Sequence, residues 1–151
     1  MRALLQRVSR AAVRVDGREI AAIDQGLLVL LGVGHGDDEA TADALARRVC
    51  ELRIFEDADG RTNRSLLDVG GACLLVSQFT LYADTRRGRR PGFTDAAPPD
   101  VARGLWLRVA EGIRVQGVAV GLGEFGAQMA VDLVNDGPFT IGLDTADRPA
   151  S

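Results

Sequence analysis

Hydrophobic and polar positions in the first third of the chain alternate in short runs joined by tight turns, the period of half-buried strands. Ala3-Leu4-Leu5-Gln6-Arg7-Val8 is one run and Ala12-Val13-Arg14-Val15 the next. Asp16-Gly17 is a hairpin dipeptide, since both residues tolerate positive φ, and Glu19-Ile20-Ala21-Ala22-Ile23 follows it. Gln25-Gly26 then opens into Leu27 to Val33, a continuous apolar run that predicts a strand buried on both faces. From Asp38 the period becomes helical: Leu45, Val49 and Leu52 fall at i, i+4 and i+7. Asp37 or Asp38 is placed to cap that helix, and Asp43 with Arg47 forms an i,i+4 pair on it.

Further on, Asp57-Ala58-Asp59-Gly60-Arg61-Thr62-Asn63 is a polar turn. It resembles half a calcium loop, but Arg61 and the lack of a later acidic ligand argue against calcium. Leu74 to Leu81 reads as a strand, and 84–100 as a long polar loop ending in Pro98-Pro99-Asp100. Proline suits a helix start, and Ala102, Leu105, Trp106, Val109 and Ile113 then make an apolar helical face. Two last strands, Gln128 to Val134 and Phe139 to Leu143, are joined through Asn135-Asp136-Gly137-Pro138, and Thr145 to Ser151 is expected to fray. The order strands, helix, strand, helix, strands predicts an α/β domain with mixed β-sheets and helices packed on one side. Its exposed strand edges make a sheet-mediated homodimer natural.

Composition narrows the chemistry. The 151 residues suit one domain, and 46% apolar with 26% charged residues excludes disorder and fibrous repeats. The longest apolar stretch, Gly26 to Val33, is too short and too glycine-broken to span a bilayer, and no signal-peptide core is present, so a cytoplasmic protein without a membrane partner is expected. Cys50 and Cys73 have no CxxC partner and read as buried thiols. The single histidine, His35, sits in a glycine-flanked loop and reads as solvated; no metal and no cofactor are expected. All 18 basic residues are arginine, in a chain of net charge −3. General nucleic-acid binding, to DNA above all, does not fit that charge, but Arg86, Arg87, Arg89 and Arg90 form a block around Gly88. The block suits a solvated loop and a local phosphate contact about equally well.

Two motifs mislead. Gly121-Leu122-Gly123-Glu124-Phe125-Gly126 spells the dinucleotide fingerprint, yet a strand-like pattern follows it and too little chain remains for a βαβ unit. Asn63-Arg64-Ser65 spells a glycosylation site that an unexported chain never uses. Trp106 lies on a helical apolar stripe and reads as core.

Two features remain. In Ser77-Gln78-Phe79-Thr80-Leu81, strand alternation puts Ser77, Phe79 and Leu81 on one face and Gln78 and Thr80 on the other. On composition alone this is an edge strand with satisfied hydroxyls; functionally, the same groups could build an oxyanion site for acyl transfer. Thr80 is a nucleophile only if a base activates it, and none is evident. In Asn135-Asp136-Gly137-Pro138-Phe139-Thr140 the Gly-Pro step is either an ordinary turn or a cis peptide bond.

These two segments resemble the signatures of the D-aminoacyl-tRNA deacylases, also called D-tyrosyl-tRNA deacylases. Gln6-Arg7-Val8, Leu52 to Asp57, Asn63 to Leu66, Gly88 to Pro91 and Phe125 to Met129 extend the resemblance over residues 1 to about 144, taken as the domain, with 145–151 as a tail. It implies a three-layer α/β/β homodimer with active sites at the subunit interface, which hydrolyses the ester of D-aminoacyl-tRNA. It implies that Gly137-Pro138 is cis and enters the partner's pocket as a chiral wall, its carbonyls accepting the amino group of the D-substrate. Glycyl-tRNA is then a second substrate. Arg7 holds that motif in place, and Ser77, Gln78 and Phe79 form the substrate pocket, with the Phe79 N–H near the scissile carbonyl. Thr80 is the nucleophile or only shapes the pocket while the tRNA 2′-hydroxyl and a water act; the second is preferred. Arg86, Arg87, Arg89 and Arg90 contact tRNA phosphates. Two positions depart from the family pattern: Phe139 where valine is commoner and Gly92 where serine is usual. The rival readings are an editing deacylase of other specificity and a non-catalytic tRNA-binding module.

Overall fold

The computed structural model describes residues 1–147. The chain runs β1 (Arg2–Val15), β2 (Arg18–Ile23), β3 (Gly26–Gly32), α1 (Glu39–Glu51), β4 (Phe55–Glu56), β5 (Thr62–Arg64), α2 (Leu66–Val69), β6 (Ala72–Ser77), a 3-10 turn (Phe79–Tyr82), α3 (Pro99–Arg114), β7 (Val120–Leu122) and β8 (Ala130–Asp144). Six strands make one mixed sheet in the order β2-β1-β3-β6-β7, with β8 along β1. β3, β6 and β7 are parallel neighbours, whereas β1 runs antiparallel to β2, β3 and β8. The mixed α/β class expected from the sequence is the one observed.

Strand alternation divides the interior in two. Leu27, Val29 and Leu31 of β3 and Cys73 and Leu75 of β6 face α1 and α3, meeting Leu45, Val49, Leu105, Trp106 and Val109. Leu28, Leu74 and Val76 face the other way, where Val8, Ala11, Val13 and Ile23 close over them. Along β1 the register shifts around Val8 switch the side that odd positions face, from Ala3 and Leu5 in the first core to Ala11 and Val13 in the second.

α1 starts where its cap predicts. The Asp38 carboxylate accepts from Thr41 N at 2.8 Å and from its hydroxyl at 2.7 Å, which holds its pKa below the usual range. Asp37 instead takes the Met1 ammonium at 2.7 Å and Gly34 N at 2.7 Å. Asp43 is gripped by Arg108 of α3, at 2.8 and 2.9 Å, so the expected pairing with Arg47 gives way to an interhelical fork.

Four sequence expectations are corrected. The segment Leu74 to Leu81 is a strand only to Ser77. The two terminal strands are one, β8, because pairing with β1 resumes after an excursion at 136–139. The two runs Ala3 to Val8 and Ala12 to Val15 likewise form the single strand β1. At the tail, Thr145 is not frayed: its N–H donates to Met1 O at 2.9 Å, and residues 148–151 lie outside those described. No helix among the described residues is long and apolar enough to cross a membrane.

Candidate functional site

β6 ends because its partner ends. The Leu31–Ser77 pair is the last rung with β3, and Gln78 N donates to Leu31 O at 2.8 Å before the chain turns. Phe79 to Tyr82 then form a 3-10 turn, so the predicted alternation of Ser77, Phe79 and Leu81 on one face stops at Ser77. The first N–H groups of such a turn have no carbonyl within it to bond, so Phe79 N–H and Thr80 N–H are left without an acceptor among the described residues. The far end is riveted by Arg2, whose Nη1 donates to Leu81 O at 3.0 Å while its guanidinium lies 4.5 Å over the Tyr82 ring. Burial, with Asp37 and Asp144 nearby, pushes the Tyr82 phenol up to about 12.

Ser77 and Phe79 line a cavity of about 500 Å³, walled by Phe93, Trp106 and Phe125 and almost wholly apolar. Phe79 is 57% exposed and meets Phe93 edge-on at 5.0 Å. Thr80 stands exposed beside it, its Oγ1 accepting from Gln78 Nε2. That partner is an amide donor, not a base. Trp106 is buried as expected, though its Nε1 has no hydrogen-bond partner among the described residues. His35 is exposed, as expected; its Nε2 also lies 2.7 Å from Thr94 O, and the residue is among those lining the cavity.

Cys50 and Cys73 are buried free thiols, as expected. Burial pushes the Cys50 thiol up to about 11 and that of Cys73 further, so neither supplies a thiolate nucleophile near neutral pH. No cluster of three or more His, Cys, Asp or Glu among the described residues is arranged to hold a metal ion.

Arg7, Gly137 and Pro138 lie elsewhere in the chain's own fold. Arg7 is only 6% exposed. Its Nη1 donates to Ile54 O at 2.8 Å and its Nε to Asp136 O at 2.9 Å, with the Phe139 ring 4.5 Å from the guanidinium. Phe139 therefore packs on Arg7 and the helix-side core, and it does not line the cavity. The Gly137-Pro138 bond is cis, and both residues are exposed on the excursion from β8. Arg7 and Asp136 line a separate polar hollow of about 260 Å³.

The arginine block rides on a loop pinched by paired backbone bonds between Asp84 and Gly92, at 2.7 and 2.9 Å. Arg86 does not stand with the others: its Nε and Nη2 each lie 2.8 Å from the Asp84 carboxylate, which holds that carboxyl well below its usual range. Arg87, Arg89 and Arg90 are exposed and form no ion pair among the described residues.

The Gly121-to-Gly126 motif runs from the end of β7 into a turn, with no helix behind it. Sequence reasoning missed α2, although its capping box was readable: Ser65 and Asp68 bond each other's backbone, and Gly70 closes the helix at φ 64°.

A model of the D-Tyr-tRNA(Tyr) deacylase family matches residues 4–144. A curated D-aminoacyl-tRNA deacylase of Roseiflexus castenholzii is 64% identical over 146 residues, 97% of this chain and 93% of that one. Its counterpart in Thermus aquaticus is 52% identical over 151 residues, covering 100% and 99%. Among solved structures, one titled c-Myc DNA Unwinding Element Binding Protein superposes with a TM-score of 0.91 at 38% identity, covering 99% and 100%. Another, described as a probable eukaryotic D-amino acid tRNA deacylase, has a TM-score of 0.78 at 18% identity over 94% and 97%, a likeness of fold.

Proposed function

Because the chain belongs to the D-Tyr-tRNA(Tyr) deacylase family, whose members are hydrolases of carboxylic esters, we propose that it hydrolyses the ester of D-aminoacyl-tRNA in the cytoplasm, through a single catalytic domain over residues 1–144. The observation that carries this reading is the turn at Gln78, which frees two N–H donors beside an apolar cavity. Aimed at a carbonyl oxygen as it takes on charge, such donors stabilise the tetrahedral intermediate of acyl transfer. An ester is a less demanding bond than an amide, so positioning and charge stabilisation supply most of what the reaction needs. Thr80 Oγ1 faces an amide donor, which favours the reading in which Thr80 shapes the pocket and the tRNA 2′-hydroxyl with a water acts.

Chirality is assigned to Gly137 and Pro138. Neither lines the cavity of its own chain, which supports a homodimer in which each excursion enters the partner's site. There the carbonyls accept the amino group of a D-substrate, and an L-side chain meets the wall. Glycine has no side chain to exclude, so glycyl-tRNA is a second substrate.

Single-turnover hydrolysis of D-tyrosyl-, L-tyrosyl- and glycyl-tRNA by chelator-treated protein tests this. The expected result is loss of the D- and glycyl esters with the L-ester spared, and a Thr80→Ala protein that keeps most of the rate. Intact esters despite bound tRNA would leave a tRNA-binding module in place of the enzyme. A Thr80→Ala protein that is folded and binds tRNA yet is inert would make Thr80 the nucleophile.

tRNA phosphates are assigned to Arg87, Arg89 and Arg90, with Arg86 committed to Asp84. Each of the three changed to alanine should flatten the slope of log affinity against log salt by about 0.7–0.9 if it holds one phosphate. Arg86→Ala should change it far less. Equal effects at all four positions would return Arg86 to the contact set.

A further inference from the structure

The excursion on β8 sets four residues opposite one. Pairing passes from Gln6–Thr140 to Val8–Asn135, so residues 136–139 stand against Arg7 alone. An interruption of that size strips rungs from the ladder and leaves backbone donors and acceptors to be satisfied otherwise. The Asn135 side chain takes them. Its Nδ2 donates to Arg7 O at 2.9 Å and to Phe139 O at 3.0 Å, and its Oδ1 accepts from Phe139 N at 3.1 Å. A carboxamide carries the donor and acceptor of a peptide unit, so Asn135 replaces the missing rung and closes the neck of the excursion.

The bond to Phe139 N–H reaches further than the neck. The peptide unit joining Pro138 to Phe139 is planar, and its C=O and N–H point in opposite directions. With Phe139 N–H turned inward to Asn135, the Pro138 carbonyl is turned outward. Arg7 performs the complementary task on the other limb, holding the Asp136 carbonyl inward.

We infer that Asn135 is a positioning residue for stereoselection: by holding Phe139 N–H it sets the direction of the Pro138 carbonyl and so the discrimination between D- and L-esters. This rests on the deacylase reading above. Asn135 touches no substrate in this scheme; it acts through Pro138.

Two variants and one measurement on the unaltered protein test it. Asn135→Leu keeps the volume and removes every polar contact, whereas Asn135→Asp keeps an oxygen for Phe139 N–H and loses both donated bonds. Under single-turnover conditions Asn135→Leu should lower the ratio of D- to L-tyrosyl-tRNA hydrolysis by about tenfold or more, the scale of one or two hydrogen bonds. Asn135→Asp should keep that ratio within about threefold while losing thermal stability, because the bond that orients Pro138 survives. Hydrogen exchange in the unaltered protein should show the Phe139 amide protected.

A Leu variant with native circular dichroism and an unchanged ratio would overturn the inference, leaving Asn135 as a strand clamp only. So would a Phe139 amide exchanging like a free loop, which keeps the test decisive even if the Leu variant does not fold. Failure of the deacylase reading looks different: the unaltered protein would itself not discriminate D from L, whatever the exchange of Phe139.

Discussion

Replacing Gly26 by alanine should lower the thermal unfolding midpoint by roughly 10 °C or more. Gly26 opens β3 and pairs on one side with Val8 of β1 and on the other with Ala72 of β6. A β-carbon there would stand 1.8 Å from Ala72 O, 2.7 Å from Ala72 C and 2.8 Å from Ala72 N. All three are backbone atoms, so no rotamer change relieves the contact. The strands must separate at their first rung. Overpacking in an interior costs about 1–3 kcal/mol where side chains can yield, and a backbone collision belongs at or above the upper end. About 3 kcal/mol is a large share of the ~5–15 kcal/mol that holds a domain folded. The strain also runs toward the site, since the same β3–β6 ladder ends at Leu31–Ser77.

Gly121→Ala is the matched control. Its β-carbon would meet Leu74 Cδ1 at 3.3 Å and Ala21 Cβ at 3.4 Å, side-chain atoms that can shift by a few tenths of an ångström. Its midpoint should stay within about 4 °C of the parent, near 1 kcal/mol for a chain of this size. Equal losses for the two proteins, measured by circular dichroism melts, would show that the Ala72 backbone is not what resists the substitution.

What could be read from the sequence was what is decided locally. The Leu27-to-Val33 run, the Asp38 cap and the Pro98-Pro99-Asp100 helix start each carry their signal within a few residues, and β3, α1 and α3 lie where those signals place them. The errors fall where a distant partner decides. Phe79, Thr80 and Leu81 continue an apolar run that looks like a strand, but β3 stops at Gly32 and offers no further rung. Nothing within the run carries that information. Likewise Asn135 to Pro138 has the composition of a turn between strands; only the length of β1 makes it an excursion within one strand. The Arg86–Asp84 fork was within reach, since the two lie two residues apart, but reading the block as four equivalent charges concealed it. Family signatures marked Ser77 to Thr80 and Gly137-Pro138 as segments that belong together. A single chain does not unite them, for the excursion and the cavity occupy different parts of the fold: one lies on β8 beside Arg7, the other where β6 turns at Gln78.

Arg7→Met should cost both stability and stereoselection. Methionine occupies similar space along the apolar stem, so the substitution isolates the guanidinium with little change in packing. Its removal leaves the buried Ile54 O without its donor, at a cost of about 1–3 kcal/mol, whereas Asp136 O belongs to an exposed residue that water can reach. The Asp136 carboxylate, 3.4 Å from Nε but half exposed, adds little to that cost because water screens it. A loss of about 1–3 kcal/mol in urea unfolding is therefore expected. Arg7→Lys should recover only part of it. One ammonium cannot present the two fixed donors that reach Ile54 and Asp136, and it lacks the planar face that lies 4.5 Å from the Phe139 ring. Stereoselection separates the limbs of the excursion. Arg7 orients the Asp136 carbonyl and Asn135 the Phe139 amide, so each single change should lower the D-to-L ratio. The two residues, on neighbouring strands, hold the same excursion and are in contact through Arg7 O, so the double variant should fall short of the sum of the two single effects. Strict additivity in a double-mutant cycle on that ratio would mean that the two limbs move independently and that the excursion is not held as one unit.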